Sequence, residues 1–173
     1  MSKVGFGWTA SVLLYSVAVG CGSSNNARPD GGGGTGGTTT SGGSMTWKEN
    51  GQAHTAAFAS GSRAISSASD FVQFVGSEST VAVSFGVATA APPLTTGTTA
   101  CGVSSATAPF ASFSYTANST GLASSCTITL TTLGDVTGSH ATGTFSGSIS
   151  LDSGGTAAIT DGVFDVTLTV SNL

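Results

Sequence analysis

Any chemistry in this chain has to come from few side chains: 173 residues hold two His, three Cys, eight Asp and Glu, and four Lys and Arg. His54 and His140 stand alone, outside any HExxH, CxxC or His-x-x-His spacing, so the local sequence assembles no zinc site. The carboxylates from Glu49 onward (Asp70, Glu78, Asp135, Asp152, Asp161, Asp165) are scattered singly, with no Asp-x-Asp-x-Asp calcium loop. Asp135, Asp152 and Asp161 sit beside Gly or Ser and read as turn residues. A paired-carboxylate glycosidase would need two of these acids to meet in space. No G-x-S-x-G elbow offers a serine nucleophile. No catalytic residue, metal ligand or cofactor is therefore assigned, and ligand-binding residues stay unassigned. The expectation is a protein that is not an enzyme. A hydrolase would require His54 or His140 to meet an acid in the fold.

Charge narrows the partners. Charged residues make up 7% of the chain, against about 25% in an ordinary soluble domain. Four cations cannot build the basic patch that nucleic acid demands. The same poverty of Lys and Glu excludes a coiled coil or helical bundle.

The N-terminus has an address. Lys3 precedes a mostly apolar run, Trp8–Val19, of 12 residues. That is the length of a secretory signal and short of the roughly 20 apolar residues that span a bilayer. Ala18-Val19-Gly20-Cys21 resembles a bacterial lipobox, with Ala where that pattern prefers Leu. The resemblance implies cleavage after residue 20, diacylglycerol on the Cys21 thiol and an acylated new amine, enough chains to anchor stably. Gly22 stands where an inner-membrane retention signal carries Asp, which implies the outer membrane. The expected partner is thus the membrane, through the lipid, with an envelope glycan or protein as the second.

Residues 22–44 contain nine Gly, four Ser and four Thr. Such a segment buries no core and is expected to be a disordered tether, about 25–30 Å in root-mean-square span. Residues 45–173 are the expected folded domain. Ser and Thr contribute 43 of these positions, poor helix material and good strand and turn material. Apolar residues alternate with polar ones in four runs: Val81 to Val87, Cys126 to Leu130, Ala141 to Leu151, and Phe164 to Val170. Period two means strands with one buried and one wetted face. Asn50-Gly51 predicts a type I′ hairpin turn joining Met45–Glu49 to Gln52–Ala59. Asp152-Ser153-Gly154-Gly155 should close another hairpin, and Asp161-Gly162 should start the last strand. Pro92-Pro93 marks a loop or edge. Gly143 and Gly147, on an apolar phase, predict a bulge or a ring lying over bare backbone. Asp70–Val75 reads equally as a strand or a short helical turn. The sum is an all-β domain of about eight or nine strands, a single antiparallel β-sandwich or partly closed β-barrel.

With Cys21 lipidated, Cys101 and Cys126 are left to pair in an oxidising compartment. Asn118-Ser119-Thr120 matches a glycosylation sequon and fits an exposed loop.

Three strand motifs carry a family resemblance: Cys126-Thr-Ile-Thr-Leu-Thr131, Gly143-Thr144-Phe145-Ser146-Gly147, and Ile159-Thr160-Asp161-Gly162-Val163-Phe164-Asp165-Val166. With the Asn50-Gly51 hairpin, they resemble a family of uncharacterised exported bacterial lipoproteins that end in G-T-F-S and I-T-x-G-x-F strands. The resemblance implies an all-β domain on a lipid anchor and transfers no activity. The functional expectation is a membrane-anchored, non-enzymatic envelope or surface module for binding or structure. The alternatives are a barrel-type carrier of a small hydrophobic ligand and, last, a hydrolase.

Overall fold

The computed structural model describes residues 42–102 and 108–173. The signal segment, Cys21 and nearly all of the tether lie outside the described residues. Ten strands follow one another: β1 Gly43–Glu49, β2 Gln52–Thr55, β3 Phe58–Ile65, β4 Asp70–Glu78, β5 Val81–Thr89, β6 Gly97–Ala100, β7 Phe110–Thr116, β8 Thr120–Leu133, β9 His140–Leu151 and β10 Thr156–Asn172. They form one sheet in the order β2-β1-β10-β3-β4-β5-β7-β8-β6, with β9 between β10 and β8. The sheet thereby curls into a partly closed barrel. All pairs are antiparallel except β10–β3, where Leu168–Asn172 run parallel to Gly61–Ile65.

The predicted alternation is what the barrel buries. Val83, Phe85, Val87, Cys126, Ile128, Leu130, Ala141, Phe145, Ile149, Phe164, Val166 and Leu168 all face the core. Phe74, Phe85, Phe113, Phe145 and Phe164 stack through its centre, neighbouring ring centroids lying 4.4–6.4 Å apart. Tilted and edge-on pairs of this kind suit the aromatic quadrupole. Two of the rings explain the predicted glycines. A Cβ at Gly143 would stand 2.7 Å from the Phe164 ring, and one at Gly147 would stand 2.9 Å from Phe113. Rings lie over bare backbone there.

The Asn50-Gly51 turn forms as expected, with φ of 48° and 88°. The strand beyond it is shorter than the sequence indicates: β2 stops at Thr55, and Ala59 belongs to β3. Asp70–Val75 resolves as strand β4. The Asp152–Gly155 turn closes β9 onto β10. Asp161-Gly162 is not a strand start. It lies inside β10 at a bulge, between the pairs Ile159↔Gly147 and Gly162↔Phe145, with Asp161 at φ 52°. The extra residue shifts the phase, so Ala157 and Ile159 are buried before it and Phe164, Val166 and Leu168 after it. That shift lets one 17-residue strand serve the core along its length.

Two devices finish the closure. β7 and β8 pair only over Ser114–Thr116 and Thr120–Leu122 and then diverge. Cys101 fills that split. Its N–H donates to Cys126 O at 2.9 Å, it bridges to Ala111, and its sulfur is bonded to Cys126. At one end of the barrel, Arg63 (β3) and Asp70 (β4) form a buried bidentate pair, Nε to Oδ1 at 3.0 Å and Nη2 to Oδ2 at 2.5 Å.

Candidate functional site

The opposite end of the barrel holds the polar cluster of interest. The β1–β2 hairpin brings Trp47, Glu49 and His54 there, because Trp47 pairs with His54 and Glu49 with Gln52 in its register. The end of β4 adds Glu78, and β7 adds Tyr115 on the same inward phase as Ala111 and Phe113. A pocket of about 380 Å³ opens between these elements. Glu49, Gln52, His54, Val81 and Tyr115 line it, together with Asn118 and Ser153 from the neighbouring turns.

His54 is the centre of this cluster. Its ring stacks on Trp47 with centroids 5.4 Å apart and planes 12° from parallel. Nδ1 lies 2.9 Å from Glu78 Oε2. An ionised carboxylate only accepts, so Nδ1–H donates to Glu78. Nε2 stands 3.5 Å from Glu49 Oε2, close, but without hydrogen-bond geometry. Trp47 Nε1, His54 Nε2 and Tyr115 Oη are all buried without a hydrogen-bond partner among the described residues. Burial, and then the neighbouring Glu49 carboxylate, raise the Tyr115 pKa far above its ordinary value, so the phenol stays protonated. Glu49 acts on Tyr115 by hydrogen bonding as well as by charge, at a geometry looser than an ordinary hydrogen bond. Buried polar groups are ordinarily paired. Two of the three, on His54 and Tyr115, belong to residues that line the pocket, and Trp47 stacks on His54.

The remaining acids have local roles. His140 Nδ1 meets Asp165 Oδ1 at 2.6 Å on the exposed sheet surface. Lys48 pairs with Asp161 at 2.9 Å, also exposed. Asp152 accepts from the Thr120 hydroxyl at its turn, and Asp135 is exposed in the β8–β9 connection. Asn118 is exposed in the β7–β8 turn. Both histidines thus meet acids, which their isolation in sequence gave no means to foresee. Among the described residues no hydroxyl or thiol hydrogen-bonds either imidazole, and no group of three or more His, Cys, Asp and Glu is placed to hold a metal ion. A second depression, of about 320 Å³, lies over Ser125, Thr127, Ser146 and Gly147 and offers hydroxyls without a titratable side chain.

No protein-family model, curated protein or solved structure matches the chain. The site is therefore read from its own chemistry.

Proposed function

We propose that this chain is a lipid-anchored outer-membrane protein of the bacterial envelope whose β-domain is a non-enzymatic binding module, with its site at the His54 end of the barrel. The observation that supports the binding role is an open pocket lined by His54 and Tyr115, each with a buried polar atom that lacks a partner of ordinary hydrogen-bond geometry among the described residues. The Cys101–Cys126 disulfide supports export, because such bonds persist in oxidising compartments. The lipobox-like Ala18–Cys21 and the Gly/Ser/Thr segment after it supply an anchor and a leash.

Two other readings have less behind them. A hydrophobe carrier needs a cavity where the Phe rings are, and those rings pack on one another instead. A hydrolase gains the His54–Glu78 pair, but an oriented imidazole with no nucleophile in contact does not make a triad.

Metabolic labelling with an alkyne fatty acid tests the anchor. Wild-type protein should carry the label and sediment with outer membranes, and Cys21→Ala should lose both. An unlabelled wild type, or a Cys21→Ala variant that keeps the label, would overturn the assignment.

A further inference from the structure

We propose that the outer face of the wall formed by β3, β4, β5 and β7 rests on the surface of the lipid bilayer. The inference rests on the lipid-anchor reading above and adds which side of the domain meets the membrane. Its ground is a row of side chains. Ala64 pairs with Phe71, Phe71 with Ala88, and Ala88 with Phe110. Four neighbouring strands thus set apolar residues side by side near the Arg63 end. All four are out of step with the buried Arg63, Val72, Val87 and Ala111, so they lie on the outward phase. Phe71 is 37% and Phe110 43% exposed. At the same end the β5–β6 loop adds exposed Ala90, Ala91 and Pro93. Contiguous exposed apolar surface marks an interaction site, and a bilayer interface accepts aromatic rings.

Charge divides the barrel by side. The four strands of this wall carry three charged side chains. Arg63 and Asp70 are buried against each other, and Glu78 ends β4 far from the row. On the β1–β10–β9 side, Lys48, Glu49, Asp161, Asp165 and His140 are all partly or largely exposed. Pressing those groups onto lipid would desolvate them, and an anionic leaflet would repel the acids. The uncharged wall avoids both penalties. The chain also enters the domain beside this wall. Gly42 lies against β3, where a Cβ would clash with Ala59 O. It stands 21 residues after Cys21, at most about 70–75 Å of extended chain. A lipid on Cys21 therefore keeps the wall within reach of the bilayer. Tethering of that kind turns a weak apolar contact into a populated one.

The test uses the full-length lipidated chain, ¹⁵N-labelled, in vesicles and nanodiscs of phosphatidylethanolamine with a minor share of phosphatidylglycerol. Flotation of the vesicles reads the anchor. A nitroxide on the lipid headgroup reads the orientation through the backbone amides. Amides of Phe71 and Phe110 should broaden more than those of Lys48, Asp161 and Asp165. Phe71→Ser with Phe110→Ser should still float, keep its circular dichroism and lower the docked population about tenfold. Phe110→Ser alone, which leaves the Phe71 ring on Gly86, should give a smaller loss in the same direction. Flotation with equal broadening on both sides, or with more at Asp161 and Asp165, would overturn the orientation and leave the anchor standing. A gradient that survives the double substitution would also overturn it. Concentration-dependent broadening of Phe71 and Phe110 in detergent micelles, without a nitroxide gradient in nanodiscs, would assign the wall to a second copy of the chain instead. A wild type that does not float would sink the anchor and this proposal together.

Discussion

The two ends of the barrel carry buried polar groups to opposite purposes. At the Arg63 end no buried side-chain polar atom of the described residues lacks a partner. The guanidinium holds both Asp70 oxygens and donates to Gly134 O at 2.7 Å and Leu94 O at 3.3 Å, and Leu94 N donates back to Asp70 Oδ2 at 2.8 Å. One ion pair thus ties β3, β4, the β5–β6 loop and the β8–β9 connection together. At the His54 end, three buried polar atoms lack a partner of ordinary hydrogen-bond geometry among the described residues. A satisfied buried network specifies structure, and an unsatisfied one costs stability unless something else completes it. The contrast separates the end that holds the fold from the end proposed to meet a ligand.

The sharpest way to break this contrast is at Arg63. Arg63→Met strands a fully buried carboxylate and should cost about 3–5 kcal/mol in urea denaturation. Arg63→Met with Asp70→Leu should recover most of that loss, since a buried pair is often replaceable by apolar residues of like volume. Acid probes the same network. Burial raises the Asp70 pKa, but hydrogen bonds from Arg63 and Leu94 and the Arg63 charge outweigh it, so the folded value lies below the ordinary one. Asp70 therefore stabilises the fold above the unfolded-state pKa of about 3.9, and the stabilisation disappears as pH falls through the lower folded value. The urea midpoint should drop below about pH 4 in wild type and flatten in the double apolar variant. An unchanged acid profile in that variant would assign acid unfolding to other carboxylates.

Between the ends lies the β7–β8 split. Replacing Cys101 and Cys126 together by Ala should cost about 3–4 kcal/mol in the chain-entropy model for a 25-residue separation. The loss should concentrate in the seam. Hydrogen exchange at Ala111–Phe113 should quicken before exchange in β4 or β5, which pair along nine residues each. Uniform acceleration would mean that the disulfide does not act on the seam in particular.

The strand faces were legible because a half-buried strand needs only a period of two, and runs such as Val81–Val87 display it without help from distant residues. The Asp161-Gly162 bulge was not, because Asp-Gly has the same local chemistry in a turn and in a bulge. Only the pairing to β9 tells them apart. Gly43 has the composition of the tether, yet it begins β1 at φ 132°, where a Cβ would come within 2.2 Å of Asp165 O. The ion pair left a signal that a reader of phases could use. Arg63 and Asp70 both fall on the inward phase of their strands, in step with Gly61 and with Val72 and Phe74. Of the His54 cluster, the Asn50-Gly51 turn sets only the hairpin part, Trp47 opposite His54 with Glu49 beside the turn. Glu78 and Tyr115 come from β4 and β7 and join it only once the barrel closes.

The smallest predicted effect is the most telling, because its sign is opposite. Tyr115 is 2% exposed and its ring packs in the core, while its hydroxyl has no partner of ordinary hydrogen-bond geometry among the described residues. Tyr115→Phe keeps the ring and removes a desolvated polar group, so stability should rise by about 1 kcal/mol. The Glu49 carboxylate would lose only a hydroxyl held at a geometry looser than an ordinary hydrogen bond. A loss of stability instead would mean that the hydroxyl already donates to Glu49 in solution. The His54 end would then be as self-satisfied as the Arg63 end, and the physical reason for placing a ligand there would be gone.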